Sequence, residues 1–250
     1  MFYGPYQWGR IEESARRCVH VVKCSFERCH VCANLVNCLL GTPLRERLQS
    51  LDFWCLNNDG DISPELILQF ARSCPALREI NFPSKITADA SPEFYVSLSR
   101  ARPTLAALNY QCHESDLLDP YGRVSPRLST ILARFRLEEF EISYLAAPVI
   151  DAILDSPCAQ SLKSIDFAET GHPLDSHYRV AAGDLLRLVR GCPRLDYISG
   201  DVRFDEARNS DEVRPTNKFD SDLLDTIYEV GDLLEERGGG MGLMIGRRAD

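Results

Sequence analysis

Long apolar runs are missing from this sequence. Even Tyr144–Ile150 (YLAAPVI) is interrupted by proline and soon ended by charge, well short of the roughly 20 apolar residues a bilayer span needs. The opening segment, MFYGPYQWGRIEESARR, has no apolar core of the kind a secretory leader requires. No Asn-x-Ser/Thr acceptor occurs. Bases are scarce beside acids: 28 Lys and Arg against 37 Asp and Glu give a net charge of −9 and a pI near 5.1. That balance argues against a surface built to track nucleic-acid phosphates. The ten cysteines in 250 residues are too sparse for a disulfide scaffold. The expectation is a reduced, intracellular protein, cytoplasmic or nuclear, with neither a membrane nor a nucleic acid as partner. What is present is ordinary globular material, 44% hydrophobic and 26% charged, enough to bury a sizeable core.

The informative feature is an internal repeat. Cys74–Phe82 reads C-P-A-L-R-E-I-N-F, Arg102–Tyr110 reads R-P-T-L-A-A-L-N-Y, and Cys192–Ser199 reads C-P-R-L-D-Y-I-S. Each holds a leucine followed by two apolar positions spaced two apart. Degenerate copies start at Val21, Leu48, Leu137 and Leu162. The seven starts (21, 48, 77, 105, 137, 162 and 195) lie 29 residues apart on average. Alternation of apolar and polar residues within each copy predicts a short strand with one buried face.

Between copies the sequence reads as helix. Ser63-Pro64, Ser91-Pro92 and Ser125-Pro126 combine a capping hydroxyl with a proline that has no N–H to lose at the first helical position. Apolar spacing of three and four follows, as in Leu66, Phe70 and Cys74, or Leu128, Ile131, Leu132 and Phe135. The same signal recurs at Phe94 and Leu98, at Ile150, Ile153 and Leu154, and at Leu185, Leu186 and Val189. The fold class is therefore α/β, built from units of about 29 residues. A doubly wound protein is the competing architecture, but its strands read as continuous apolar runs, and these alternate.

The L-x-x-L-x-L pattern, preceded by Cys-Pro at a helix end, resembles the leucine-rich repeats of the ribonuclease-inhibitor-like superfamily. It looks most like the cysteine-containing variant of F-box proteins, many of them fungal. The resemblance runs from about Val21 to Gly200. It implies a curved solenoid of about seven irregular repeats, with parallel strands on the concave face and helices on the convex face. It also implies a non-catalytic protein-binding scaffold, the substrate-recognition region of an F-box-type ubiquitin ligase receptor. No F-box is legible in these residues, so a ligase adaptor is an expected partner only if one lies upstream. A stand-alone adaptor, or a GTPase activator of the same superfamily, is the alternative.

If each strand's two apolar positions point inward, three columns face outward. The central one runs Ser25, Asp52, Asn81, Asn109, Glu141, Asp166, Ser199. One flank runs Lys23, Ser50, Glu79, Ala107, Glu139, Ser164, Tyr197, and the other Glu27, Trp54, Pro83, Gln111, Ser143, Ala168, Asp201. The columns hold seven acids and one base, Lys23. The expected ligand surface is therefore Asp52, Trp54, Glu79, Asn81, Asn109, Glu139, Glu141, Asp166 and Tyr197. Complementary charge favours a basic protein segment, with Trp54 and Tyr197 as aromatic anchors. A solvated face that merely keeps the protein soluble is the alternative.

Metal and catalytic readings are weaker. Cys29-x-x-Cys32 sits in a cluster of cysteines and histidines from Cys18 to Cys38 and has zinc-knuckle spacing, but a second such pair is absent. Cys18 shares its slot with Cys74 and Cys192, and Cys24 and Cys38 fall on apolar positions, so core packing explains them and no metal or other cofactor is expected. None of the five histidines belongs to a nucleophile motif; no enzyme activity is expected. The Asn57–Asp61 segment lacks the acids of a calcium loop. The glycines at 240, 242 and 246 have no helix after them to hold a phosphate. The expected organisation is a solenoid over 1–200, a polar and disordered loop over 201–220, a helix over 221–237 covering the open end, and a flexible tail over 238–250. A partner-binding role for that last helix is the alternative.

Overall fold

A computed structural model describes residues 21–25, 33–52, 63–82, 90–110, 117–118, 122–167, 182–202 and 221–245, together with Glu13 and Arg17. Eight strands form one parallel sheet in sequential order: β1 (Lys23–Ser25), β2 (Ser50–Asp52), β3 (Glu79–Asn81), β4 (Ala107–Tyr110), β5 (Glu139–Ile142), β6 (Ser164–Phe167), β7 (Tyr197–Val202) and β8 (Gly240–Ile245). Between them lie seven α-helices among the described residues: α1 (Ala33–Leu40), α2 (Pro64–Ser73), α3 (Pro92–Ala101), α4 (Pro126–Arg134), α5 (Ala147–Leu154), α6 (Ala182–Gly191) and α7 (Ser221–Glu235). The strand order never doubles back, so the sheet lacks the switch point of a doubly wound fold. Crossovers of one hand between successive parallel neighbours place the helices on one face. Each consecutive helix pair packs together.

Each unit is built by the same local chemistry. The Ser63 and Ser125 hydroxyls accept hydrogen bonds from the Leu66 and Leu128 N–H groups at 3.2 and 3.3 Å, satisfying donors that a helix start leaves orphaned. Ser91 acts differently. Its hydroxyl bonds the Glu93 carboxyl and holds it below the ordinary carboxylate range. At the far end, Cys74, Arg102 and Cys192 close the last helical turn with bonds to Phe70, Leu98 and Leu188. A tight turn carrying Pro75, Pro103 or Pro193 follows, and the leucine N–H returns to the carbonyl three residues back (Leu77 to Cys74, Leu105 to Arg102, Leu195 to Cys192). Proline pre-sets φ for the second position of such a turn. The units entering β2 and β6 use 3₁₀ turns instead, Pro43–Glu46 and Pro157–Gln160. Those turns explain why the copies at Leu48 and Leu162 read as degenerate.

Adjacent units lock together in two ways. One carbonyl per unit receives two successive N–H groups of the next: Val22 O from Gln49 and Ser50, Gln49 O from Arg78 and Glu79, Arg78 O from Ala106 and Ala107. The pattern continues through Ala106, Glu138 and Lys163. On the helix side, carbonyls left open at helix C-termini are taken by donors from the following unit. The Arg102 guanidinium bonds Ala71 and Arg72 of α2, and the Cys158 thiol lies 3.2 Å from Phe135 O behind α4. Arg237 donates to Val189, Cys192 and Leu195 around the end of α6.

The core sits between sheet and helices. Leu48, Leu77, Leu105, Leu137, Leu162 and Leu195, which head six of the seven copies, are at most 1% exposed. The inward strand row Leu51, Ile80, Leu108, Phe140, Ile165 and Ile198 is at most 2% exposed. Burying each such side chain contributes about 1.5–3 kcal/mol. Phe82, Phe94, Tyr95 and Tyr110 form an edge-to-face aromatic chain inside it, with ring centroids 5.0–6.1 Å apart.

Two boundaries differ from the sequence expectation. β7 continues to Val202, two residues into the segment expected as a polar loop; 203–220 lie outside the described residues. The tail expected to be flexible from 238 instead supplies β8, paired in register with β7 from Tyr197↔Gly240 to Val202↔Ile245. The helix expected to cover the open end, α7, packs on α6, buries Val230 and Leu234 and leads into that extra strand. Glycine density read as a chain breaker, whereas here it permits close approach. A Cβ on Gly239 would lie 1.7 Å from Asp196 O.

Candidate functional site

The face of the sheet away from the helices carries the expected columns. Strand pairing aligns Ser25, Asp52, Asn81, Asn109, Glu141, Asp166 and Ser199 across seven strands, and Lys23, Ser50, Glu79, Ala107, Glu139, Ser164 and Tyr197 beside them. Gly242 and Gly240 extend the two rows onto β8. The alignment follows from the sheet's period of two: once the leucines are buried, every second strand residue must face out.

Exposure varies along the rows. Glu139 and Asp166 are exposed; Asp52, Glu79, Asn81 and Glu141 are half-buried. Tyr197 is 42% exposed, and its ring lies over β8, where a Cβ on Gly242 would come within 2.8 Å of its hydroxyl. Three expected face residues are instead buried: Ser50, 6% exposed, and Asn109 and Ser143, each 3% exposed. β4 is buried from Leu108 to Tyr110, and the chain leaving β5 is buried from Ile142 to Ala146 as it turns directly into α5. The last residues of these two central strands are therefore withdrawn from solvent. Trp54, Glu27, Pro83, Gln111 and Ala168 lie outside the described residues.

The polar groups at the β1–β3 end are linked. The Ser25 hydroxyl donates to Asp52 Oδ2 at 3.2 Å. The Lys23 ammonium lies 3.5 Å from Glu79 Oε1, reaching across β2 with Ser50 in register beneath it. Ser50 is only 6% exposed. Among the described residues, its Oγ and the other Asp52 oxygen, Oδ1, are buried without a hydrogen-bond partner. Over the two described columns the balance is five acids against Lys23. β8 was missed by sequence reasoning. Its legible signal was Gly240-Met241-Gly242, in phase with Tyr197-Ile198-Ser199.

No protein-family model matches this chain, and no curated protein matches it at a significant level. No helix among the described residues is long and apolar enough to cross a membrane. No group of three or more metal-ligating side chains occurs among them, and Cys18, Cys29, His30 and Cys32 of the candidate zinc cluster lie outside them.

The described cysteines serve the core. Cys74, Cys158 and Cys192 are at most 1% exposed. Burial pushes the Cys74 thiol up to about 12 and the Cys192 thiol up to about 11, and it raises Cys158 as well. The thiolate is the nucleophile, and its fraction falls tenfold per pH unit below the pKa. In the folded protein at mildly alkaline pH, Cys74 and Cys192 should therefore react with iodoacetamide at least roughly 100-fold more slowly than an ordinary thiol, and Cys158 should be slowed in the same direction. Half-buried Cys38 should label ahead of them. Site-resolved peptide mass spectrometry reads the rates, and fast labelling of Cys192 before unfolding would contradict this packing.

Proposed function

We propose that the chain is a non-catalytic binding scaffold, a curved leucine-rich-repeat solenoid whose open sheet face takes a basic segment of a protein partner. One observation carries the reading: aligned rows across the sheet present five acids and one base, beside an exposed tyrosine. Like charges side by side on neighbouring strands cost stability, so an accumulation such as Glu139, Glu141 and Asp166 suits a surface that meets positive charge. The Cys-Pro-x-Leu units and their resemblance to F-box leucine-rich repeats point further, to the substrate-recognition region of a ubiquitin ligase receptor.

Purification of the tagged chain from its own cells, with the bound proteins read by mass spectrometry, tests both levels. Recovery of ligase adaptor and cullin subunits is the outcome expected of a receptor. Their absence in every salt condition, with the tag placed at the protein's own locus so that any upstream segment is retained, would overturn the ligase assignment. Asp166→Lys changes an exposed position and should leave the thermal midpoint unaltered. It should weaken a basic ligand about tenfold at low salt, with the difference shrinking as salt screens the charges. Unchanged affinity in that variant would overturn the acidic face as the ligand surface.

A further inference from the structure

We propose that Ser50, Asp52 and Glu79 form a subsite for one arginine side chain of the partner, and that Lys23 occupies this subsite in the free protein. The proposal rests on the reading of the open face as a surface for basic segments and gives that surface a specific position. Three observations converge on it. Lys23 is the one base on the described outward rows, and its ammonium crosses β2 to Glu79. Beneath it, Ser50 is 6% exposed on that face, with a hydroxyl that has no partner among the described residues. Two residues along the same strand, Asp52 accepts from Ser25 on Oδ2, and its Oδ1 is buried without a partner among the described residues.

A lysine serves this arrangement poorly. Ser50 and Asp52 are two positions apart on one strand face, so their side chains start about 7 Å apart. The compact Lys23 ammonium, 3.5 Å from Glu79, leaves both buried oxygens unsatisfied. A guanidinium presents five donors in a planar fork and can reach Ser50 Oγ and Asp52 Oδ1 while keeping Glu79 as counter-charge. Buried oxygens without donors are costly, so the exchange of Lys23 for an incoming arginine is favoured by the bonds it completes. Lys23 is itself mostly exposed, its side chain at 60%, so it can swing into water when displaced. In the free protein it acts as an internal competitor that raises the threshold for weakly basic ligands.

The test uses the purified full chain at low salt, with fluorescent hexa-arginine and hexa-lysine peptides as probes, read by anisotropy. The wild-type protein should prefer hexa-arginine. Lys23→Met removes the competitor and keeps most of the stem; it should tighten hexa-arginine about five- to tenfold and hexa-lysine by clearly less. Asp52→Asn should weaken hexa-arginine and bring the two peptides to similar affinity, whereas Glu139→Gln, remote on β5, should weaken both alike. Equal tightening of both peptides by Lys23→Met would overturn the subsite, because removal of any positive charge does that at long range. A preference for arginine that survives Asp52→Asn would overturn it too. Absence of binding by either peptide to any form would instead overturn the basic-partner reading beneath it. Melting curves of each variant identify loss of affinity caused by unfolding.

Discussion

Leu77→Asp is expected to abolish the folded state. Leu77 is fully buried, and it closes the turn after α2 with its N–H on Cys74 O. It stands in the row of buried leucines between Leu48 and Leu105, one unit away on either side. Removing the side chain forfeits about 2–3 kcal/mol of burial, and placing a carboxyl there with no partner costs several kcal/mol more. Together these approach the whole stability of an ordinary domain, about 5–15 kcal/mol. Far-UV circular dichroism and a thermal melt should show loss of cooperative unfolding. The neighbouring Arg78→Asp makes the same charge one position along, where the side chain is exposed, and should change stability by no more than about 0.5 kcal/mol. A cooperative, folded Leu77→Asp protein would contradict the register of the entire sheet, because a slip of one residue exchanges the two faces.

That contrast also explains which parts of the molecule were legible in the sequence. Six of the seven strand copies could be placed because three constraints agree: a leucine that must be buried, alternation beyond it, and a proline turn or capping serine marking a neighbouring helix. The outward rows follow without further information, and pairing aligns Ser25 through Ser199 as the repeat implies. Burial within a row was not legible. Asn109 and Ser143 share the outward phase of exposed Glu139 and Asp166 yet are 3% exposed, a difference that periodicity does not encode. The partnerless oxygens of Ser50 and Asp52 were hidden for a similar reason. They lie on β2 between Lys23 and Glu79, residues of two different units that only stacking brings within 3.5 Å of each other, and no single copy displays that.

The last strand shows the opposite failure, in which a local signal misled because a close approach reversed its meaning. Gly238-Gly239-Gly240 looks like an end to structure, and Gly238 does adopt a left-handed φ of +80°, where glycine is favoured. Gly239, however, is required by what it touches. Its N–H returns to Leu234 O at the end of α7, and the next N–H, of Gly240, opens the β7–β8 ladder on Asp196 O at 2.8 Å. A Cβ at 239 would meet that same Asp196 carbonyl at 1.7 Å. The obstacle is backbone, so no rotamer relieves it. Gly239→Ala should therefore lift β8 off the sheet, at a cost of about 3 kcal/mol, in the range of strained-backbone substitutions, while β1–β7 stay paired. Hydrogen exchange followed by mass spectrometry should show Gly240–Ile245 losing protection and β3–β6 retaining it. Gly240→Ala, whose added Cβ meets nothing within 4 Å, should be tolerated. Full protection of β8 in Gly239→Ala would show that the strand is not held by this approach. Loss of β8 should also reach the proposed ligand surface, since Tyr197 rests over Gly242: without that floor the tyrosine is no longer fixed, and a partner anchored on it should dissociate faster even though every acid on the face remains in place.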